Sequence, residues 1–89
     1  MQAVISVTGK DSIGIIAKAS NMCAEYNVNI VDVSQTILQD YFVMIMLVDI
    51  DKITIQFSEF VDIMSELGNK NNLEIHTMHE DIFNSMHRI

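Results

Sequence analysis

The sequence predicts an α+β fold, a ferredoxin-like sandwich in which a four-stranded antiparallel sheet carries two helices on one face. Segments rich in β-branched residues alternate with two segments whose apolar residues recur at helical spacing, in the order β-α-β-β-α-β. The 89 residues are 49% apolar and 19% charged, which suits one globular domain. The chain has no proline, so regular structure is not interrupted by that residue. We expect a single domain over residues 1–89, with its core at 1–80 and an amphipathic helical tail at 81–89.

The first half of the chain predicts a strand, a helix and a second strand. Ala3–Thr8 is rich in β-branched residues, and Ser12 is the expected N-cap of the first helix because its hydroxyl can accept a backbone hydrogen bond. The helix is predicted from an apolar stripe at i, i+1, i+4, i+7, i+8 and i+11: Ile15, Ile16, Ala19, Met22, Cys23 and Tyr26. Asn27 is expected to end it, because asparagine tolerates the left-handed conformation. The second strand is predicted over Ile30–Gln39.

The second half repeats this order. A turn at Asp40 leads into a third strand at Tyr41–Ile50, and Thr54 and Gly68 are the expected start and end signals of the second helix. That helix is predicted from the stripe Phe57, Phe60, Val61, Met64 and Leu67. Leu73–Glu80 alternates as a fourth strand does. The tail is predicted to form a short helix from the spacing of Ile82, Phe83, Met86 and Ile89.

The third strand is too apolar for a sheet with one covered face. Residues 42–48 are apolar at every position, and the second strand places Val31 and Val33 opposite Ile30. The amphipathic tail can cover part of the second face. A second copy of the chain can cover the rest, so we expect a homodimer.

Composition excludes several classes of function. A net charge of −7 with only five lysines and arginines argues against nucleic acid and anionic membranes as partners. No apolar run approaches the ~18 residues of a membrane-spanning helix. A single cysteine forms no internal disulfide and suggests a cytoplasmic location. His76 and His79 are three apart on a predicted strand and point to opposite faces, so we expect no metal site, and no cofactor or catalytic residue is predicted.

The turn between the first strand and the first helix is the expected functional site. Backbone N–H groups at a helix start lack helical partners and carry partial positive charge, which favours a small anionic group such as a carboxylate. Structural explanations remain open for each of the residues concerned. Asp11 can be only a favourable charge at the helix start. Gly14 can be needed for close packing of the helix on the sheet, and Asn29 can simply satisfy the turn backbone.

These segments resemble the ACT domain, in particular stand-alone single-domain proteins similar to the glycine-cleavage-repressor type and to small bacterial members. The resemblance rests on the Asp-x-x-Gly turn Asp11-Ser12-Ile13-Gly14, the apolar helix that follows, and Asn29-Ile30 opening the second strand. It implies that the backbone around Gly14 contacts an amino-acid ligand and that Asn29 hydrogen-bonds it, sometimes across a dimer interface. Serine-binding members carry asparagine and histidine at the positions of Asp11 and Gly9, and this chain differs at both.

Two functions follow as hypotheses. The first is a small regulatory domain that binds an amino acid or related metabolite at Asp11, Ser12, Ile13, Gly14, Asn29 and Ile30. It would act as a homodimer and signal through a partner enzyme or regulator. The alternative is a ligand-free module for dimerisation or protein interaction. An enzyme is not expected, because no nucleophile and base occur together.

Overall fold

The computed structural model describes residues 1–10 and 13–86, and its elements follow the predicted order. The strands are β1 (Gln2–Gly9), β2 (Asn29–Leu38), β3 (Tyr41–Asp49) and β4 (Glu74–His79), and the helices are α1 (Ile15–Glu25), α2 (Phe57–Lys70) and α3 (Glu80–Met86). The strands form one sheet in the order β2-β3-β1-β4, with every neighbouring pair antiparallel. The predicted ferredoxin-like fold is confirmed, and β2 and β4 are its two edges.

The core lies between the sheet and helices α1 and α2. Alternate residues of β1 and β3 point into it, and Ile5 pairs with Met46 at its centre. The helices contribute the buried residues Ile15, Ala19, Cys23, Phe60 and Met64. We call this side of the sheet the helix face and the opposite side the open face.

Strand β2 departs from the predicted alternation. Its register with β3 shifts between Ile30 and Asp32, so that Ile30 pairs with Val48 and Val33 pairs with Met46. Both partners are buried on the helix face. A bulge inserts one unpaired residue and resets the side-chain alternation. The prediction that Val33 lies opposite Ile30 was therefore wrong, and the two residues share the helix face.

The open face is apolar along β3, as predicted. Val43 and Leu47 are half-buried there, and Ile45 is 38% exposed. Helix α3 contacts β1 and β4. Val4 pairs with Leu47 on the open face, and it is buried although it points away from α1 and α2. The residues after Met86, including the predicted Ile89, lie outside the described chain.

Helix α1 begins later than predicted and ends where predicted. Its N-cap position falls at Gly14 rather than at the predicted Ser12, and no side chain within the described part of the chain caps it. Asn27 follows the helix with φ 61°, and the next amide, of Val28, donates to the Cys23 carbonyl at 2.8 Å. A left-handed residue with this hydrogen bond is the usual end of a helix.

Both predicted ends of α2 were wrong. Thr54 precedes the helix, and its amide donates to the Tyr26 carbonyl at 3.0 Å, while the N-cap position falls at Gln56. Gly68 lies inside the helix, which continues to Lys70. A Cβ at Gly68 would lie 2.7 Å from the Leu73 carbonyl oxygen. The glycine is therefore required where α2 lies against the chain entering β4.

Candidate ligand-binding site

Among the residues that the structure describes, no side chain caps the start of α1. Lys18 N donates to Gly14 O at 3.0 Å as the first bond of α1, so the amides of residues 15–17 have no partner within the helix. No acidic side chain lies in the first turn of α1, whereas α2 has Glu59 in its first turn. The partial positive charge at the start of α1 is thus not neutralised by its own first turn.

Gly14 is required by its backbone conformation and not by packing. Its φ is 74°, a value that residues with a Cβ rarely adopt. A Cβ built on Gly14 would meet no atom of residues 1–10 and 13–86 within 4 Å. The sheet and helices therefore give no packing reason for Gly14, and the described residues leave open space beside the helix start. Asp11 and Ser12 lie outside the described residues, and Ile13 is largely exposed.

Asn29 and Ile30 lie at the other end of the sheet. Asn29 is exposed at the start of β2 and pairs with Asp49, while Ile30 packs against the core. Asn29 lines a polar cleft of about 330 Å³ together with Asn27, Asp49, Asp51 and Lys52. The Asn27 side-chain amide donates to the Lys52 carbonyl at 3.0 Å. The Asp51 amide donates to Asp49 Oδ1 at 2.8 Å, so a hydrogen bond joins two of the lining residues.

One protomer does not bring the predicted site residues together. Asn29 and Gln2 both pair with Asp49, so Asn29 lies at the end of the sheet where β1 begins. Gly14 follows Gly9, at the opposite end of β1. Seven steps along β1 span about 23 Å. The residue pattern identified both segments, but only the direction of each strand shows that they lie at opposite ends.

A groove beside the turn contains side chains that the sequence did not single out. Lys10 and Tyr41 line it with Asn72 and Glu74, and the Lys10 ammonium lies 5.5 Å from the centre of the Tyr41 ring. This cation–π contact holds a positive charge near the end of β1 that carries the turn. The proximity of Lys10 to the turn was visible in the sequence, but its contact with Tyr41 depends on the pairing of β1 with β3.

Gly9 explains one departure from the serine-binding pattern. A Cβ at Gly9 would overlap Leu73 Cδ2 and lie 3.4 Å from the Asn72 carbonyl oxygen. Leu73 is buried and packs in the core. A histidine at position 9 would therefore require the Leu73 side chain to move.

The surroundings of the cysteine and of two histidines favour structural roles over chemical ones. Burial raises the pKa of the Cys23 thiol to about 11, which keeps it protonated and unreactive at neutral pH. His76 pairs with Ser6 and His79 with Ala3, on opposite faces as predicted, and the His79 ring lies 4.3 Å from that of Phe57. Within residues 1–10 and 13–86, no group of three or more potential metal ligands occurs. In the same residues, no helix is long and apolar enough to span a membrane.

Comparison with known proteins identifies the family and supports the observed fold. A family model described as ACT domain matches residues 1–78. A UPF0237 protein from Clostridium perfringens is 54% identical over the full length of both chains. An ACT domain protein from Streptococcus pneumoniae, of known structure, is 37% identical with a TM-score of 0.82 and covers 93% of each chain.

A more distant structure shares the fold alone. It is a putative glycine cleavage system transcriptional repressor, 20% identical with a TM-score of 0.68, and the match covers 85% of this chain and 43% of that one. Relatives of similar length to this chain come from archaea as well as bacteria, which is broader than the bacterial group expected from the sequence. The ACT fold, the match over residues 1–78 and the full-length relatives lead to one conclusion: the chain belongs to the ACT domain family.

Proposed function

We propose that this protein is a small cytoplasmic regulatory domain that binds an amino acid or related metabolite as a homodimer and signals through a partner protein. The observation that carries the proposal is the turn at Gly14. There the structure describes a left-handed glycine at a helix start that no described side chain caps, and no described atom fills the space beside it. A ligand carboxylate fits such a site because backbone amides and the helix dipole both favour negative charge.

Each predicted residue has a chemical role in this proposal. Free backbone amides near Gly14 would hold the carboxylate. Asp11, Ser12 and Ile13 belong to the same turn, and an ionised Asp11 would attract the ligand's α-ammonium group. Asn29 offers an amide that donates and accepts, with Ile30 beside it. Since Asn29 lies at the far end of its own sheet, it reaches this ligand only from a second protomer. The ligand would then link two subunits.

A thermal-shift screen of the twenty amino acids tests the proposal. A ligand present at 100 times its dissociation constant stabilises the native state by about 2.7 kcal/mol. Gly14→Asn is the informative variant, because asparagine tolerates the left-handed backbone yet fills the open space with a side chain. Asn21→Ala, on the exposed side of α1, is the matched control.

The outcomes separate the two functions. A shift with one amino acid that is lost in Gly14→Asn and kept in Asn21→Ala supports binding at the turn. A response that survives Gly14→Asn shows that the site lies elsewhere. If no amino acid changes the melting temperature, the protein is better explained as a ligand-free interaction module. The exposed apolar side chains of β2 favour that second function.

A further inference from the structure

Helix α3 covers the open face over two of the four strands. It contacts β1 and β4, where the paired residues Val4 and Met78 are buried and half-buried on that face. On the helix face the same sheet carries two helices, with α1 next to β2 and α2 next to β4. Adjacent strands are about 4.8 Å apart, so β3 and β2 leave a band about 10 Å wide, which is the diameter of a helix. The described part of the chain therefore has one helix on the open face and two on the helix face.

The floor of this band is apolar along β3 and polar along β2. Strand β3 presents Val43, Ile45 and Leu47 on the open face, with Ile45 38% exposed and the other two half-buried. The residues of β2 that pair with Val43 and Ile45 are Thr36 and Ser34. An apolar row beside a polar margin is the pattern that an amphipathic helix matches.

Helix α3 supplies an apolar wall beside this floor. Ile82 lines a cleft with Gln2 and Asp51, at the end of the sheet where β3 ends, so it lies on the side of α3 that faces β3. Met86 is four residues later and shares that side of the helix. Both side chains are exposed, at 52% and 64%. We define the β3 strip as the floor and wall together: Val43, Ile45, Leu47, Ile82 and Met86.

The β3 strip leads into an acidic cleft. This cleft has a volume of about 780 Å³ and is lined by Met1, Gln2, Asp51, His79, Glu80, Asp81 and Ile82. The Asp51 carboxylate pairs with the Met1 ammonium. Within the described chain Glu80 and Asp81 form no ion pair, so negative charge exceeds positive charge in the cleft. Coulomb attraction therefore favours a cationic side chain there.

We propose that an amphipathic helix of a partner protein lies along the β3 strip and places a lysine or arginine in the acidic cleft. Apolar side chains at i, i+3, i+4 and i+7 of that helix would cover Ile45 and its neighbours, while its polar side faces solvent. Residues 43–51 span about 26 Å of extended chain, which matches a helix of about 17 residues.

A second copy of this chain fits the strip less well than a cationic partner does. Each copy carries a net charge of −7. The exposed apolar side chains Ile82 and Met86 of a second copy lie on a helix that begins with Glu80 and Asp81. Docking that helix would bring its carboxylates toward those of the cleft, and like charges across an interface are unfavourable. Charge complementarity therefore favours a basic helix from another protein.

A model peptide tests the strip directly. The probe is a peptide of about 18 residues, made of leucine and lysine with the leucines in one helical stripe. A scrambled peptide of the same composition is the control for charge. Fluorescence anisotropy measures binding to the full chain, and circular dichroism checks the fold of each variant. Ile45→Glu and Ile16→Glu each add one negative charge at similarly exposed positions, but Ile16 belongs to α1, away from the open face.

The two variants separate apolar docking from attraction by charge. Ile45→Glu should weaken binding of the striped peptide by about 10-fold, because it replaces an apolar contact at the centre of the strip. Ile16→Glu should not weaken it. Attraction by charge alone predicts that neither variant weakens binding, since both make the protein more negative. The proposal is overturned if the striped peptide does not bind, if the scrambled peptide binds equally well, or if the two variants behave alike.

Two double variants test the acidic cleft. Glu80→Gln with Asp81→Asn removes two carboxylates from the cleft, and Glu59→Gln with Asp62→Asn removes two from the exposed side of α2. At low salt the cleft variant should bind the striped peptide about fivefold more weakly than the α2 variant, and high salt should remove the difference. Equal weakening by the two double variants would show that only net charge matters, and the cleft would then not hold a cationic side chain.

This inference deepens the proposed function, because it gives the chemistry of the partner protein through which the domain would signal. The two can fail separately. If the peptide binds the strip while no amino acid shifts the melting temperature, the partner surface stands and the proposed ligand fails. If an amino acid binds at Gly14 while the peptide does not bind, the ligand stands and the partner surface is wrong. If, in addition, Ile45→Glu lowers the mass of the protein in sedimentation, a second copy occupies the strip instead.

Discussion

Gly68→Ala provides a strong test of the packing at the end of α2. In an ordinary helix interior this change stabilises by about 1 kcal/mol, because alanine restricts the unfolded chain. Here the added Cβ would lie 2.7 Å from the Leu73 carbonyl oxygen, 2.9 Å from Ile75 Cγ1 and 3.2 Å from the Ile75 amide nitrogen. Two of these atoms are backbone, so relief requires β4 to move. Overpacking of this kind costs about 1–3 kcal/mol, so after the gain in helix propensity is subtracted we expect net destabilisation of up to about 2 kcal/mol.

Urea denaturation at one fixed protein concentration measures this effect. The concentration is fixed because association contributes to apparent stability. Ser65→Ala, at an exposed position of the same helix, is the matched control and should gain about 0.5 kcal/mol from helix propensity. If Gly68→Ala is as stable as the wild type or more so, the close approach of α2 to residues 73–75 does not hold.

Four further results are expected. Thr77→Val should stabilise the protein by about 1 kcal/mol in the same assay, because the Thr77 hydroxyl is buried in the described structure without a hydrogen-bond partner. A thiol reagent at pH 8 should modify native Cys23 only as fast as the protein opens, since burial raises its pKa to about 11. The hydrogen bond to Asp51 raises the pKa of the Met1 ammonium in the folded protein. The stability that this bond contributes is therefore fully present at pH values below the pKa of the ammonium in the unfolded chain, and it is lost as the pH rises through the higher pKa in the folded protein. The destabilisation by Asp51→Asn should accordingly be larger at pH 6 than at pH 10. Sedimentation should show tighter dimers as salt increases, because each protomer carries a net charge of −7.

Much of the fold could be predicted because apolar residues recur at clear helical spacing in both helices. Five of the six residues of the first stripe lie in or against the core, as do Phe57, Phe60, Met64 and Leu67 of the second. Ile16 is the exception in the first stripe, because it is 44% exposed. The helix ends were harder to predict. Thr54 and Gly68 have the right chemistry for helix ends, but tertiary contacts decide their roles. The Thr54 amide bonds to Tyr26, and Gly68 is required where another segment approaches.

The bulge near Ile30 shows a different limit of sequence pattern. Alternation along a strand assumes that every residue is paired, and one unpaired residue reverses the face of all that follow. The residues Ile30 to Val33 carry no glycine that would indicate a bulge. The exposed position of Val33 on the helix face therefore had no signal in the sequence.

The sequence predicted which segments form the candidate site, but it did not predict where these segments lie relative to one another. A residue pattern identifies the turn at Gly14 and the strand start at Asn29, but their distance depends on strand direction, which sets them at opposite ends of the sheet. The departure at Gly9 had no physical reason until Leu73 was seen to occupy the space of its missing side chain.

A site shared between protomers couples binding to association. If the proposed ligand contacts Gly14 of one chain and Asn29 of the other, it binds the dimer better than the monomer. Linkage then requires that it tighten the dimer by the same factor. A ligand with equal affinity for both forms shifts no equilibrium, so the separation of the two segments within one protomer is what makes regulation possible. A domain of 89 residues can in this way transmit a signal without a hinge or a second domain, because the assembly itself is the element with two states.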